Sequence, residues 1–371
     1  MEKLTDVLLF WYDRNRRILP WREDPTPYHI WLSEIILQQT RVEAGKDVYL
    51  RFLKVCPDIA TLASTKEDVC LKLWEGLGYY SRVRNFHRAA VIIMQEYDGQ
   101  MPGTKEELQK LPGIGPYTAA AIASIAYGEK EIALDGNLMR IFSRMTEYGE
   151  DSKTKVAKEC ALTYYEPLIS EERPGDFNQA LMDLGAMICL PHGQPHCSVC
   201  PWEASCSAHR HNTTNQYPIM PQRKLRKKEE KTVLILQCQN KTAIRKRSGQ
   251  GLLAGLYEFP LLDGYKTVEE VKEWLSQHGI SSDDMLGSPQ KLPYAKHIFT
   301  HVEWNMIGYR ILFRSKEGME NPSCLVSNGS FPPQEDLESI EKFIWADPDE
   351  LDTVYSIPSA FAVYRQAAKN I

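Results

Sequence analysis

No stretch of the 371-residue chain approaches the eighteen or so apolar residues that a membrane-spanning helix needs, so no membrane partner is expected. Its first residues, MEKLTDVLLFWYDRN, carry acidic side chains and lack the basic start of a secretory signal. A cytoplasmic, nucleoid-associated setting follows as the expectation. Internal repeats and low-complexity tracts are also missing, which sets aside solenoids and compositionally biased arrays. Cysteine is sparse outside one place: of nine, five are scattered and four (Cys189, Cys197, Cys200, Cys206) fall within 18 residues. An odd count with that crowding argues against a disulfide framework and for a metal site in a reducing compartment. The chain also lacks the excess of positive charge usual in proteins that hold phosphates, its formal net charge being −5. That shortage is uneven, because residues 217–247 hold ten Lys and Arg against two Asp and Glu. The run RKLRKK (223–228) reads as a solvated linker, and a phosphate-facing role is compatible with that.

What is present points to two domains, the usual outcome for a chain of this length. Residues 1–216 read as mainly helical. HIWLSEIILQQTRVEA (29–44), KEDVCLKLWEGLG (66–78), NFHRAAVIIMQEYDG (85–99) and NLMRIFSRMTEYG (137–149) each repeat apolar residues at three- and four-residue spacing. QYPIMPQRKLRKKEEK (216–231) has two prolines, high charge and no apolar period, and 217–230 is read as a basic interdomain linker. Over 231–371 the period changes. TVLILQCQNKTAIRKR (232–247) and HIFTHVEWNMIGYRILF (297–313) read as strand–turn–strand segments with a helical TVEEVKEWLSQHG (267–279) between them, which makes this domain α+β.

Four local patterns carry chemistry. In LPGIGPYT (111–118), Gly113 and Gly115 sit just ahead of an alanine-rich helix, AAAIASIAYG (119–128). Glycine lets backbone amides approach another group, and amides at a helix start are free donors, so the pattern suits a phosphate; an ordinary connection between helices would read the same. The cysteine loop, Cys189-x7-Cys197-x2-Cys200-x5-Cys206, supplies four thiolates from one short segment. Structural zinc usually draws on two separated Cys-x2-Cys pairs, so a cubane iron–sulfur cluster fits better, while His192 and His196 keep zinc open. Glu34 shares a helical face with Ile30, Trp31, Leu37 and Gln38, where desolvation should make it hold its proton; this describes a general acid or a buried structural Glu. Asp135 or Asn137 is placed to cap the helix carrying Leu138, Ile141, Phe142 and Met145, and an Asp there is predicted to stay ionised. One carboxyl raised and one lowered is the arrangement that cleaves glycosidic bonds through an oxocarbenium-like state.

Taken together, LPWREDPTPYHIWLSEIILQQTRVE, LWEGLGYYSRVRN, LPGIGPYT, LDGNLMR, FNQALMDLGAMIC and the cysteine loop resemble the adenine DNA glycosylases of the MutY family, over nearly all of residues 8–206. The likeness continues through GLLAGLYEFP and FTH. It implies a helix–hairpin–helix glycosylase domain with an iron–sulfur loop (189–206), followed by a Nudix-like α+β domain, and a monofunctional DNA glycosylase that hydrolyses the N-glycosidic bond of adenine mispaired with 8-oxoguanine or guanine in duplex DNA. Glu34 then resembles the acid at adenine N7, and Asp135 the carboxylate that stabilises the cationic sugar, with Tyr117 and Asn137 beside it. Trp21, Arg22, Leu37 and Gln179 match positions lining the flipped-base pocket, and Gln39, Thr40, Leu77 and Tyr79 match those that fill the gap and contact 8-oxoguanine. Gly113 and Gly115 match the phosphate-binding hairpin, whose carbonyls share a monovalent cation. Cys189, Cys197, Cys200 and Cys206 match the ligands of a 4Fe–4S cluster, although the first interval is seven residues where the family has six. Phe299-Thr300-His301 stands where the family has Phe-Ser-His. Tyr117 occupies the place of the nucleophilic lysine of bifunctional endonuclease III-type enzymes, and a phenol forms no Schiff base. VEEVKEWLSQHGI lacks the R-E-x-x-E-E array of active Nudix hydrolases, so the second domain resembles a lesion reader. A monomer is expected, and the alternatives are a bifunctional endonuclease III-type glycosylase/lyase and a non-catalytic DNA-binding repair scaffold.

Overall fold

The computed structural model describes residues 3–221, 225–278, 280, 282–314 and 343–369. They fall into two units, Met1–Thr65 with Arg82–Arg223, and Lys66–Ser81 with Lys224–Ile371.

The first unit is helical throughout its described elements. Its helices are α1 (Leu4–Asn15), α2 (Pro20–Glu23), α3 (Pro27–Leu37), α4 (Val42–Val55) and α5 (Ile59–Ser64). After α6 (Glu67–Leu73), which folds with the other unit, come α7 (Ser81–Glu96), α8 (Lys105–Leu108), α9 (Pro116–Tyr127), α10 (Gly136–Thr146), α11 (Lys155–Tyr165), α12 (Pro174–Met187) and α13 (Ser207–Arg210). Helix α3 starts where the Thr26 hydroxyl accepts from the His29 amide and Pro27 fixes the first φ. It is buried on every side from Ile30 to Ile36, so Glu34 has no solvent face to turn to. The stretch 29–44, expected as one helical segment, is broken. One Nη of Arg82 donates to the carbonyls of Ile35 (3.0 Å), Ile36 (3.0 Å) and Gln38, and Gln39 then takes a left-handed conformation (φ +60°) before α4 begins. Those carbonyls would otherwise be left without partners at the helix end.

Helix α9 is nearly side-chain-free where it matters, with Ala119 to Ala123 fully buried. A Cβ on Gly175 of α12 would stand 2.6 Å from the Ser124 carbonyl oxygen and 2.7 Å from the Ile125 Cα, so the two helices cross backbone to backbone. Leu8 and Tyr12 of α1, Leu138 and Phe142 of α10, Tyr165 of α11, Phe177 and Leu181 of α12, and Trp202 form one core. Each contributes about 1.5–3 kcal/mol by leaving water.

Among its described residues the second unit has seven strands: β1 (Lys227–Cys238), β2 (Lys241–Lys246), β3 (Tyr257–Glu258), β4 (Leu261–Asp263), β5 (Gln290–Ile298), β6 (Val302–Phe313) and β7 (Ile344–Ala346). Their order is β3-β2-β1-β6-β5, with β4 against β1 and β7 against β2. Strands β1 and β6 run parallel from Lys227↔Val302 to Cys238↔Phe313. Val233 and Ile235 enter one core with Phe361 and with Tyr364 of α16 (Ala362–Lys369), whereas Leu234 and Leu236 enter another with Val271 and Leu275 of α14 (Val268–Gln277). Both faces of β1 are covered, which is why VLIL reads as an unbroken apolar run. The last four residues of the stretch read as a linker, Lys227 to Glu230, are strand. Glu229 pairs with Lys227 (2.9 Å) and with Lys231 (3.2 Å), and the partner strand β6 lies 75 residues away in sequence, out of reach of any local pattern. Residues 222–224 of that stretch lie outside the described residues.

Candidate active site

Helices α3, α9 and α10 bring together the three groups that the sequence singles out. Glu34, 7% exposed, accepts a 2.6 Å hydrogen bond from the Tyr117 hydroxyl at the start of α9. Asp135 caps α10, accepting from the Asn137 and Leu138 amides (both 2.8 Å) and from the Asn137 carboxamide (2.7 Å). Burial pushes the Glu34 carboxyl up to about 7, and the nearby charge of Asp135 adds to this, while the Tyr117 phenol and Arg22 pull it back. Tyr117 is held well above its usual range by burial and by the two carboxylates.

The sequence predicts a lowered Asp135, and here the structure differs. Burial pushes its carboxyl up, and the donors of Leu138 and Asn137, with the charge of Arg140, only partly offset that. The two carboxyls are therefore separated by their donors, three N–H groups on Asp135 against one phenol on Glu34. N–H donors favour the ionised form, so Asp135 remains the better anion of the pair and Glu34 the better acid.

Several residues that fix this geometry carry no obvious sequence signal. Asn137 is itself held by Arg140, which donates to its Oδ1 (2.9 Å) and to the carbonyls of Gly185 (2.7 Å) and Cys189 (2.8 Å). A Cβ on Gly185 would lie 2.5 Å from the Asn137 Cβ, so only glycine leaves Asn137 in place. Asp183, with no exposed side-chain surface, takes both Arg22 (2.7 and 3.0 Å) and Arg17 (2.7 Å). The signal for these is retrospective: charged residues at core spacing in FNQALMDLGAMIC and LMRIFSRM. Trp21 is buried edge-on against Tyr49, and Leu37 and Gln179 are half-buried. Gln39 is exposed and Thr40 half-buried in the turn that Arg82 holds.

In the hairpin, Gly113 takes φ +79° and a Cβ there would stand 2.7 Å from the Asn85 Cβ. Gly115 caps α9 without a side chain and faces open space, so the first amides of α9 have no side-chain partner.

Cys189, Cys197, Cys200 and Cys206 line one pocket with Ile141, Leu184 and Trp202. Trp202 ties this loop to α1 through its indole N–H on the Leu4 carbonyl (2.9 Å). Burial, with mutual repulsion, pushes the Cys197, Cys200 and Cys206 thiols up, Cys200 to about 12. Arg144 supplies one positive charge, donating to the Cys189 sulfur (3.1 Å) and the Leu190 carbonyl (3.0 Å). Among the described residues no three His, Cys, Asp or Glu side chains converge tightly enough to hold a single ion, and His192 and His196 are exposed away from the pocket.

Leu77, Tyr79, Phe299, Thr300 and His301 all belong to the second unit. The β5–β6 turn presents Thr300 and His301 to solvent, while Phe299 stacks edge-on against His297 and Trp304. Tyr79, at φ +47°, places its hydroxyl 2.6 Å from the Thr300 hydroxyl. Leu77 is half-buried beside it in the chain.

Residues 32–164 match the HhH-GPD superfamily of base excision DNA repair proteins, and residues 232–366 match the NUDIX domain. The adenine DNA glycosylase of Buchnera aphidicola subsp. Baizongia pistaciae is 32% identical over 332 residues, covering 86% of this chain and 92% of that protein. The human adenine DNA glycosylase is 31% identical over 385 residues, with coverages of 87% and 68%. The mouse enzyme is 40% identical over 241 residues, covering 62% of this chain but only 46% of its own length. Among solved structures, a thermostable thymine-DNA glycosylase aligns with a TM-score of 0.51 at 28% identity, over 56% of this chain and 95% of its own.

Proposed function

Because the chain belongs to the adenine DNA glycosylase family, we propose that it hydrolyses the N-glycosidic bond of adenine paired with 8-oxoguanine, or with guanine, in duplex DNA. The observation that carries this reading is the Glu34–Tyr117 pair set beside the capped Asp135. Adenine leaves the base stack to reach these groups, entering a pocket lined by Trp21, Arg22, Leu37 and Gln179. Glu34 protonates adenine N7, which turns the base into a neutral leaving group. Asp135, fixed by Asn137, faces the positive charge that grows on the sugar C1′, and water completes the hydrolysis. Tyr117 offers no amine, so no Schiff base forms and strand cleavage is not part of the reaction.

The DNA backbone is held by the amides around Gly113 and Gly115, with a monovalent cation shared by the hairpin carbonyls. Cys189, Cys197, Cys200 and Cys206 would hold a 4Fe–4S cluster, whose cationic core would offset part of the thiolate charge and would brace the loop against α10. Gln39, Thr40, Leu77, Tyr79 and the Phe299-Thr300-His301 turn read the opposite purine, in a Nudix-like domain whose α14 lacks the magnesium-binding carboxylate array. No helix among the described residues is long and apolar enough to cross a membrane. The reading takes the protein to act on DNA as a nucleoid-associated monomer. The deciding assay incubates the protein with a duplex holding one 8-oxoguanine·A pair. An alkali-labile site at the adenine is expected, and an intact strand would overturn the reading.

A further inference from the structure

Residues 66–81 lie within the sequence of the helical domain yet fold with the second unit. Asp68 pairs with Lys246 (2.5 Å) and takes the Tyr257 hydroxyl (3.3 Å), and Lys72 donates to the Tyr355 carbonyl (3.1 Å). Glu75 is the best-held of these anchors. One of its oxygens meets Arg365 of α16 at 2.6 Å and the other meets Lys72 at 2.6 Å. Arg365 is gripped in turn by Asp352 of α15 (Pro348–Thr353) at 2.8 Å. Directly after Glu75 the chain turns sharply through Gly76 (φ +96°), Gly78 (φ +68°) and Tyr79 (φ +47°). The turn is closed from inside by fully buried Trp74, whose indole N–H donates to the Gly78 carbonyl (3.1 Å). Tyr79, 48% exposed, is thus placed from two ends: its hydroxyl on Thr300, its backbone through Glu75 on Arg365.

We propose that Glu75 and Arg365 are positioning residues for recognition of the base opposite adenine, acting through the turn that presents Tyr79. This rests on the reading that Tyr79 meets that base. Glu75 and Arg365 are each 21% exposed, so solvent still screens the pair and its stability contribution is small; what it supplies is placement. A left-handed turn with two glycines has several backbone alternatives, and fixing the residue at its entry selects one of them.

The test compares single-turnover adenine excision from 8-oxoguanine·A and G·A duplexes by full-length wild type, Tyr79→Ala, Glu75→Ala, Arg365→Ala and the double variant Glu75→Ala/Arg365→Ala. The expected result is that Tyr79→Ala collapses the preference for 8-oxoguanine·A. Each single variant should lower it about two- to five-fold with G·A excision unchanged, and the double should be no worse than either single. Glu75→Gln and Arg365→Lys, which keep part of the contact, should fall in between. If Tyr79→Ala abolishes the preference while the pair variants keep it, the positioning role is wrong. Equal loss on both duplexes, or additive losses in the double variant, would also overturn it. An unchanged preference in Tyr79→Ala would overturn the reading of Tyr79 itself, and the proposal with it.

Discussion

Glu34 holds its proton because of where α3 buries it, and this makes the acid role proposed for it testable in two ways. Glu34→Gln keeps the shape but has no proton to give. It should bind the mismatch and lose about 10²–10⁴-fold in single-turnover excision, measured with the same duplex as wild type. The stability effect has the opposite sign. The folded-state carboxyl titrates at about 7 against an ordinary 4.5, so its contribution is fully present below 4.5 and is lost as pH rises through 7. Glu34→Gln should therefore unfold at higher temperature than wild type at pH 8, by up to roughly 3 kcal/mol, with the gap closing toward pH 4.5. Tyr117→Phe gives an independent check. Its phenol favours ionised Glu34, so removing it should move the alkaline limb of the pH–rate profile to higher pH. A limb that moves down or stays put would mean that the phenol does not set the acid. Residue types at this scale were legible in the sequence: an acidic residue amid apolar neighbours, an Asp at a helix start. The direction of the Asp135 shift was not, because the burial that pushes its carboxyl up exists only once the chain has folded.

At the scale of elements, close approach decides the site. Helix α12 reaches α9 and α10 through Gly175 and Gly185, and each glycine stands where a Cβ would strike backbone or the Asn137 side chain. Gly185→Ala should push Asn137 off Asp135, lowering excision at least ten-fold and destabilising the fold by about 1–3 kcal/mol, read by single-turnover kinetics and thermal melting. Gly113→Ala separates binding from chemistry. Its left-handed backbone and the contact with Asn85 both forbid a side chain, so it should weaken affinity for any duplex, matched or mismatched, by an electrophoretic shift assay. A selective loss on mismatches would argue against a phosphate-binding hairpin. Helix positions were readable from apolar spacing, and the hairpin from its glycines. The break after Leu37 was not, since the group that ends α3 is Arg82, more than forty residues on.

For the whole molecule, the cysteine pocket and the second unit make separate demands. Purified protein should be brown, with broad visible absorption and about four irons per chain if the cluster is a cubane. A colourless, active preparation holding one zinc would show the loop to be a zinc site. Truncation near residue 225 is a poor test of lesion reading, because it strips Lys66–Ser81 of the unit it folds with. Thr300→Ala is cleaner: it removes the partner of the Tyr79 hydroxyl from an exposed turn and should lower the preference for 8-oxoguanine·A while sparing G·A. Sequence alone determined the helical and α+β halves and put forward the four crowded cysteines, the candidate acid and anion, and a tyrosine at position 117, since these depend on residue type and on spacing within one or two turns of chain. Only the tertiary structure decided that residues 66–81 join the second unit, that β1 begins inside the charged stretch, and that Arg82 closes α3, Asp183 takes Arg22, Arg140 reaches the Gly185 carbonyl and Arg365 meets Glu75. In each case the partner lies far along the chain, so the contact exists only after distant segments have packed.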